Sequence, residues 1–208
     1  MPTTASYRPS ESKPAGHRPV LTFVREFVAN PTRVGAVLPS SKRLSKAMLD
    51  GLDIDGAKAI LEYGPGTGVV TDQLGPRLKP GCTYFAIERS EEMAKVWRAK
   101  HPGLKLFVDS AENAVELCRQ NGVGEVDIVL SGLPWSNLPV SVQTGILEAT
   151  AKVLRPGGVF VTFCYHTGTL LPGSRRFFRR LPNYFSRVTR GKHVIRNVPP
   201  AFVLKCTK

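Results

Sequence analysis

The sequence predicts an α/β fold, a mostly parallel sheet with helices on both faces. Three observations predict it. Apolar runs of strand length alternate with longer amphipathic stretches from residue 59 to residue 165, the pattern of βαβ units. The runs end in acids, glycines or tight turns, and the first ends in Glu62-Tyr63-Gly64-Pro65-Gly66-Thr67-Gly68, with glycine at every second position. A length of 208 residues suits one domain with a full core plus appendages.

The elements follow in order. Residues 1–18 are rich in Pro, Ser, Thr and basic residues and read as a disordered basic tail. Residues 19–50 read as N-terminal amphipathic helices. Pro19 suits a first helical turn, and Val20, Phe23, Val24, Phe27 and Val28 recur at helical spacing until Pro31 closes the segment. A second helix is expected over 41–49. The catalytic domain is expected over 51–208, with strands at 59–62, 84–88, 104–108, 126–130 and 159–165. Helices are expected at 67–78, 91–100, 111–121 and 140–154. Two further strands, 184–188 and 201–206, close the chain.

The loops after the strands carry the chemistry. Glycines after the first strand let a ligand lie across the strand ends, and the helix that follows offers free N–H groups. A dinucleotide fold needs Gly-x-Gly-x-x-Gly, but Val69 stands at the third glycine position, which disfavours a nicotinamide cofactor. Glu62 suits a ligand with an ammonium group. Glu88 ends the second strand twenty residues after Gly68, where a carboxylate accepts hydrogen bonds from a ribose diol. The third strand ends in Asp109-Ser110-Ala111, suited to an adenine amine, and the fourth in Ser131-Gly132-Leu133-Pro134-Trp135.

With those motifs, and with the turn Leu154-Arg155-Pro156-Gly157-Gly158, the chain resembles the class I S-adenosylmethionine-dependent methyltransferases over roughly residues 59–165. The resemblance implies a Rossmann-like, mostly parallel seven-stranded sheet with an antiparallel edge hairpin. It also implies S-adenosylmethionine as cofactor and S-adenosylhomocysteine as product. It assigns the cofactor to Gly35, Ala36, Val37, Glu62, Gly64, Gly66, Thr67, Glu88, Asp109, Ser110, Ala111, Ser131 and Leu133.

A narrower likeness lies in the stretch from Asn30 to Ser41, which contains Gly35-Ala36-Val37-Leu38-Pro39-Ser40-Ser41, and in Ser131-Gly132-Leu133-Pro134. These resemble the bacterial phospholipid N-methyltransferases, which methylate phosphatidylethanolamine and its mono- and dimethyl derivatives towards phosphatidylcholine. The alternative is a ribosomal RNA adenine N6-dimethyltransferase. That family usually carries Asn-x-Pro-Tyr after the fourth strand. Here Ser131 and Trp135 stand in place of the Asn and the Tyr, which counts against a nucleic-acid substrate.

A sulfonium methyl is already activated, so the protein must align a nucleophile and exclude water. A lipid amine titrates near pH 10 and must first lose a proton. The loop carbonyls of 131–135 are expected to aim the nitrogen, and Trp135 either gives a cation–π contact or simply packs. Tyr165 and His166 end the fifth strand beside the same cleft. An imidazole there suits the proton acceptor, and also suits a grip on the lipid phosphate or no role at all.

The net charge is +13, and twelve of the 29 basic residues lie after Glu148, the last acid of the chain. A block of this kind points to a polyanionic partner. Arg175, Arg176, Arg179 and Arg180 surround Phe177 and Phe178. That mixture fits an anionic membrane surface, or equally a short helix that buries its two rings. Phe23 and Phe27 offer a second membrane-facing surface, or pack on the domain. No run reaches the roughly 20 apolar residues needed to cross a bilayer, and residues 1–18 are no secretory signal. The four cysteines fit no metal spacing, so free thiols in a reducing cytosol are expected. The expected protein is a monomer without metal, cytoplasmic and peripheral on the inner face of the cell membrane.

Overall fold

A computed structural model describes residues 41–208. Residues 1–40 lie outside the described residues. They include the expected tail, the 20–28 helix with Phe23 and Phe27, and Gly35, Ala36 and Val37.

Seven strands form one sheet: β1 Ala59–Tyr63, β2 Thr83–Glu88, β3 Lys105–Val108, β4 Val126–Ser131, β5 Leu154–Tyr165, β6 Arg187–Val194 and β7 Ala201–Thr207. Their order is β3-β2-β1-β4-β5-β7-β6. The first five are parallel, and β7 runs antiparallel to both β5 and β6. The sheet is the seven-stranded arrangement expected from the motifs, with the hairpin at one edge. Chain order reverses between β1 and β4, so the connections that follow them lead to opposite sides, the arrangement that forms a crevice above the paired carboxyl ends.

The helices are α1 Lys42–Leu49, α2 Thr71–Leu74, α3 Glu91–Lys100, α4 Ala114–Gln120, α5 Val140–Val153 and α6 Pro172–Arg180. They cover both faces because the central strands are apolar on both, as β1 shows with all five residues buried. On one face Leu44 and Met48 of α1 pack with Ile54, Leu74, Trp97 and Val161. Residues 42–49, grouped by sequence with the N-terminal helices, thus contribute to the sheet's own core. On the other face Leu147, Trp135, Phe160, Phe177 and Phe185 form a second core.

Three local expectations are corrected. The helix expected at 67–78 is a turn, then α2, then a 3-10 turn Gly75–Arg77, because Gly75-Pro76 cannot carry a regular helix onward. The segment 154–158 is the start of β5 rather than a turn before it. Its Arg155 donates from Nε to Asp127 at 2.5 Å, and the same carboxylate caps the amides of Lys58 and Ala59. Those bonds hold the Asp127 carboxyl below its usual range despite partial burial. The tail strand starts at Arg187 rather than 184, because Phe185 is used instead to stack on Phe160, 5.5 Å between ring centroids.

The basic–aromatic segment is α6. Pro172 opens it at a position that needs no N–H donor. Phe177 is 2% exposed and stacks on Trp135 at 4.4 Å, while Arg175, Arg176 and Arg179 face outward. Arg180 is half-buried and donates to Gln143 Oε1. Of the two readings open for Phe177 and Phe178, the helix core is the one observed, with Phe177 fully inside and Phe178 half-buried against Phe202. Removing Phe177 therefore creates a cavity. Phe177→Ala is expected to cost about 3–4 kcal/mol in urea unfolding, whereas a ring waiting for a membrane would cost almost nothing.

Candidate active site

The site is built where β1 and β4 end. Gly64 N–H donates to Ile87 O, and Gly132 N–H donates to Tyr63 O, both at 2.8 Å. The second bond draws the β4 loop onto the end of β1, and the first ties the β1 loop to β2. A Cβ on Gly132 would sit 2.5 Å from Gly64 O, and one on Gly64, whose φ is +59°, would meet the Leu133 side chain. Both positions therefore require glycine. Gly66 differs. Its φ is +56°, and a Cβ there would meet nothing within 4 Å. The space above Gly66 is open, and any larger side chain would project into it.

Two carboxylates stand around that space. Glu88 accepts from Gly66 N–H at 3.2 Å with Oε2 and from Ser90 N–H at 2.9 Å with Oε1. Burial pushes its pKa up, and the amide donors partly offset this. Asp109 N–H bonds Glu88 O, so the β3 end lies beside the β2 end. Asp109 Oδ1 accepts from Ser110 N–H and Asn113 Nδ2. Ser110 caps the turn that follows, and Ala111 is buried against α5 and its neighbours. Thr67 is half-buried, and its carbonyl accepts from Lys100 Nζ. The open cradle at Gly66 with Glu88 beside it fits a nucleoside carrying a diol. Asp109 is half-buried at the end of the neighbouring strand.

Glu62 lies beneath the loop, 2% exposed. Its Oε2 accepts from Tyr84 Oη at 2.6 Å and from Thr71 Oγ1 at 2.9 Å, and Trp97 Nε1 donates to the same Thr71 hydroxyl. Of the two routes open to it, direct contact with an ammonium or action through the loop, the structure favours the second. Through Thr71, the first residue of α2, Glu62 fixes the helix that follows the glycine loop. Thr71, Tyr84 and Trp97 were not singled out from sequence; only their polar atoms on otherwise apolar elements hinted at them. His101 was also passed over. It sits against Gly68, with Nε2 3.3 Å from Asp72 Oδ1, and burial lowers its pKa.

On the acceptor side, Ser131 is fully buried. Its Oγ accepts from Trp135 Nε1 at 3.2 Å, and its carbonyl accepts from Thr162 Oγ1 at 3.1 Å. Ser131 thus braces the loop from inside, with its side chain buried beneath Trp135. Trp135 is corrected as well. It is 4% exposed, stacked on Phe177 and edge-on to Phe160, and its N–H also donates to Thr162. An indole packed this way is a core aromatic, not a platform for a cation. Gln143, unnoticed in the sequence, is buried and donates to the Trp135 carbonyl at 2.6 Å.

At the end of β5, Tyr165 packs edge-on to Phe163, and its Oη has no hydrogen-bond partner among the described residues. Burial pushes the phenol up to about 12, so it stays protonated at neutral pH and does not serve there as a base. His166 is exposed. Its Nε2 lies 3.3 Å from His193 Nδ1, and both rings lie against Phe202. His166 therefore meets the tail hairpin as well as the strand end.

Comparison with known proteins agrees with this geometry. Residues 60–158 match a family model described as a methyltransferase domain. A curated relative, the ornithine lipid N-methyltransferase of Singulisphaera acidiphila, is 28% identical over 188 residues, covering 88% of this chain and 93% of that protein. An O-methyltransferase from Bacillus cereus solved with S-adenosylhomocysteine superposes with a TM-score of 0.64 at 18% identity, covering 91% of this chain and 90% of that one. The N-methyltransferase NodS from Bradyrhizobium japonicum gives 0.62 at 12% identity, covering 82% and 97%. The solved structures speak for the fold alone.

Glu62 provides a check on the loop architecture. Burial raises its carboxyl from 4.5 to about 7, so the folded protein holds a proton that the unfolded chain has released. Its contribution to stability is full below about pH 4.5 and is lost as the pH rises through about 7, a span worth on the order of 3 kcal/mol. Urea unfolding from pH 5 to 8 is expected to show that decline, and Glu62→Gln to flatten it. An unchanged slope in the variant would mean that Glu62 is not the buried acid described. With the methyltransferase domain matched over residues 60–158, the strand order and the cradle at Gly66 in hand, the chain is an S-adenosylmethionine-dependent methyltransferase.

Proposed function

We propose that the chain methylates the primary amine of a membrane lipid, with the ethanolamine head group of phosphatidylethanolamine and its partly methylated forms as acceptor, towards phosphatidylcholine. The observation that carries the reading is the similarity to a lipid N-methyltransferase along nearly the whole of both chains. The Gly35 to Ser41 and Ser131 to Pro134 motifs and the basic outer face of α6 support it. The same relative favours a second acceptor, the amine of an ornithine lipid. Either way the protein works as a monomer, peripheral on the cytoplasmic leaflet.

The bound donor supplies an activated methyl. The chain's own residues do the rest. Glu88 and the Gly64–Gly66 backbone hold the nucleoside and methionine portions, with Asp109 at the base. Glu62, buried under the loop, keeps α2 in place through Thr71. The Gly132–Pro134 segment, pressed on Gly64, aims the acceptor nitrogen with its carbonyls. The nitrogen must arrive without its extra proton. Of the two side chains that end β5, Tyr165 is locked in its neutral form, which leaves His166. Its 3.3 Å contact with His193 steadies the charged ring after it takes the proton.

Methyl-labelled donor incubated with vesicles of phosphatidylethanolamine, vesicles containing ornithine lipid, and ribosomal RNA tests the reading. Label is expected in an aminolipid, and label in RNA alone overturns it. His166→Ala is expected to slow turnover about 10²-fold with donor binding kept. A variant with unaltered turnover would dismiss His166 as the base.

A further inference from the structure

The large apolar side chains that remain exposed are unevenly placed. Ile195 is 76% exposed, Leu170 73% and Val198 69%, whereas the next among the described residues, Val96, reaches 48%. The three most exposed all lie in two loops, 166–171 after β5 and 195–200 between β6 and β7, and Leu171, at 44%, joins them. The loops are stapled together. His166 N–H donates to Pro200 O at 2.9 Å, and the His166 and His193 rings are in contact. Asn197 is buried and ties its own loop by donating from Nδ2 to Pro199 O, while its Oδ1 accepts from Ser41 N–H. The apolar tips therefore belong to one ordered rim.

That rim stands at the donor end of the sheet. Thr162 bonds Ser131, the last residue of β4, and β5 continues three residues further to Tyr165. At about 3.3 Å per residue, the loop after β5 starts about 10 Å beyond the end of β4. Its surroundings are cationic. Exposed Arg175 and Arg176 lie in the first turns of α6, directly after Leu171, and exposed Arg196 lies between Ile195 and Asn197. Neither loop nor α6 contains an acid.

Resting on the lipid reading above, we infer that this rim is the membrane-docking surface, and that its occupant is an anionic bilayer. Leu170, Leu171, Ile195 and Val198 enter the interface, and Arg175, Arg176 and Arg196 pair with head-group phosphates. Protruding aliphatic side chains within a ring of cations match both layers of such a surface, the acyl boundary and the anionic head groups. Phe177, the aromatic of α6 that sequence offered for this task, is committed to the core, so the docking role passes to the loops that precede α6 and follow β6. Docking by the rim sets the donor crevice about one head-group layer below the bilayer surface, where a lipid amine reaches it without leaving the membrane.

The test is sedimentation of the full chain with vesicles of phosphatidylglycerol and phosphatidylethanolamine, without donor. The variant Leu170→Ser/Ile195→Ser/Val198→Ser is expected to bind at least about tenfold more weakly. These positions are exposed, so folding is not at stake. Val96→Ser/Val115→Ser, at exposed apolar positions elsewhere, is expected to bind like the unaltered chain. Arg175→Glu/Arg176→Glu is expected to weaken binding at low salt and to lose most of the salt dependence. A rim variant that binds normally overturns the inference, as does an equal loss in the Val96/Val115 control. An unaltered chain that self-associates, and becomes monomeric in the rim variant with vesicle binding kept, assigns the rim to a second copy and also overturns it. Because binding is read without methyl transfer, rim-dependent docking by a chain that labels no lipid would keep this inference and remove the proposed function.

Discussion

The contact between Gly64 and Gly132 is the constraint on which the site depends. At the reversal of strand order, the Gly132 N–H bond to Tyr63 O holds the β4 loop against the end of β1, while the Gly64 N–H bond to Ile87 O ties the β1 loop to β2. No side chain fits between the β1 and β4 loops. The loops then present backbone rather than side chains to the crevice, and the one direction left clear is above Gly66. Because the constraint lies in the main chain, it needs only glycine at two places and leaves the surrounding residues free to set specificity.

Two acids in neighbouring strands show how environment divides labour. Glu62 and Glu88 both end strands beside the glycine loop, yet Glu62 is sealed under it by Tyr84 and Thr71, while Glu88 sits half-open at its edge with amide donors. Burial raises the pKa of both. Only at Glu62 do two hydroxyl donors hold the group inside the protein. The first is an anchor for the fold of the loop, and the second is available to a ligand. A spacing pattern in sequence treats them alike; the packing of Trp97 against Thr71 separates them.

Much of the fold and the donor side was legible because each strand end carries its own short signal. The glycine loop, Glu88 and Asp109 occupy the positions that their spacing implied. What was not legible depends on which way a side chain turns. Trp135 and Phe177 read equally well as surface aromatics or as core, and only the approach of α6 to the 135–137 turn makes them a buried stacked pair. Ser131 looks like a ligand residue until Thr162 and Trp135, distant in sequence or hidden by packing, use its oxygens. The start of β6 moved because Phe185 found a stacking partner in Phe160, a contact between residues 25 apart in sequence.

The same geometry links donor and acceptor. The cradle lies at the ends of β1, β2 and β3, and the longer β5 carries the apolar, cationic rim past it. On the proposed reading, a lipid acceptor then approaches the crevice from the rim, while the donor lies below. The most direct measurement of the central claim is calorimetric titration of S-adenosylhomocysteine into the unaltered protein and into Glu88→Ala. Glu88 accepting hydrogen bonds from the bound ribose predicts binding weaker by about 10- to 100-fold in the variant, with its unfolding transition little changed. Equal affinity in the two proteins would contradict the placement of the donor at this end of the sheet.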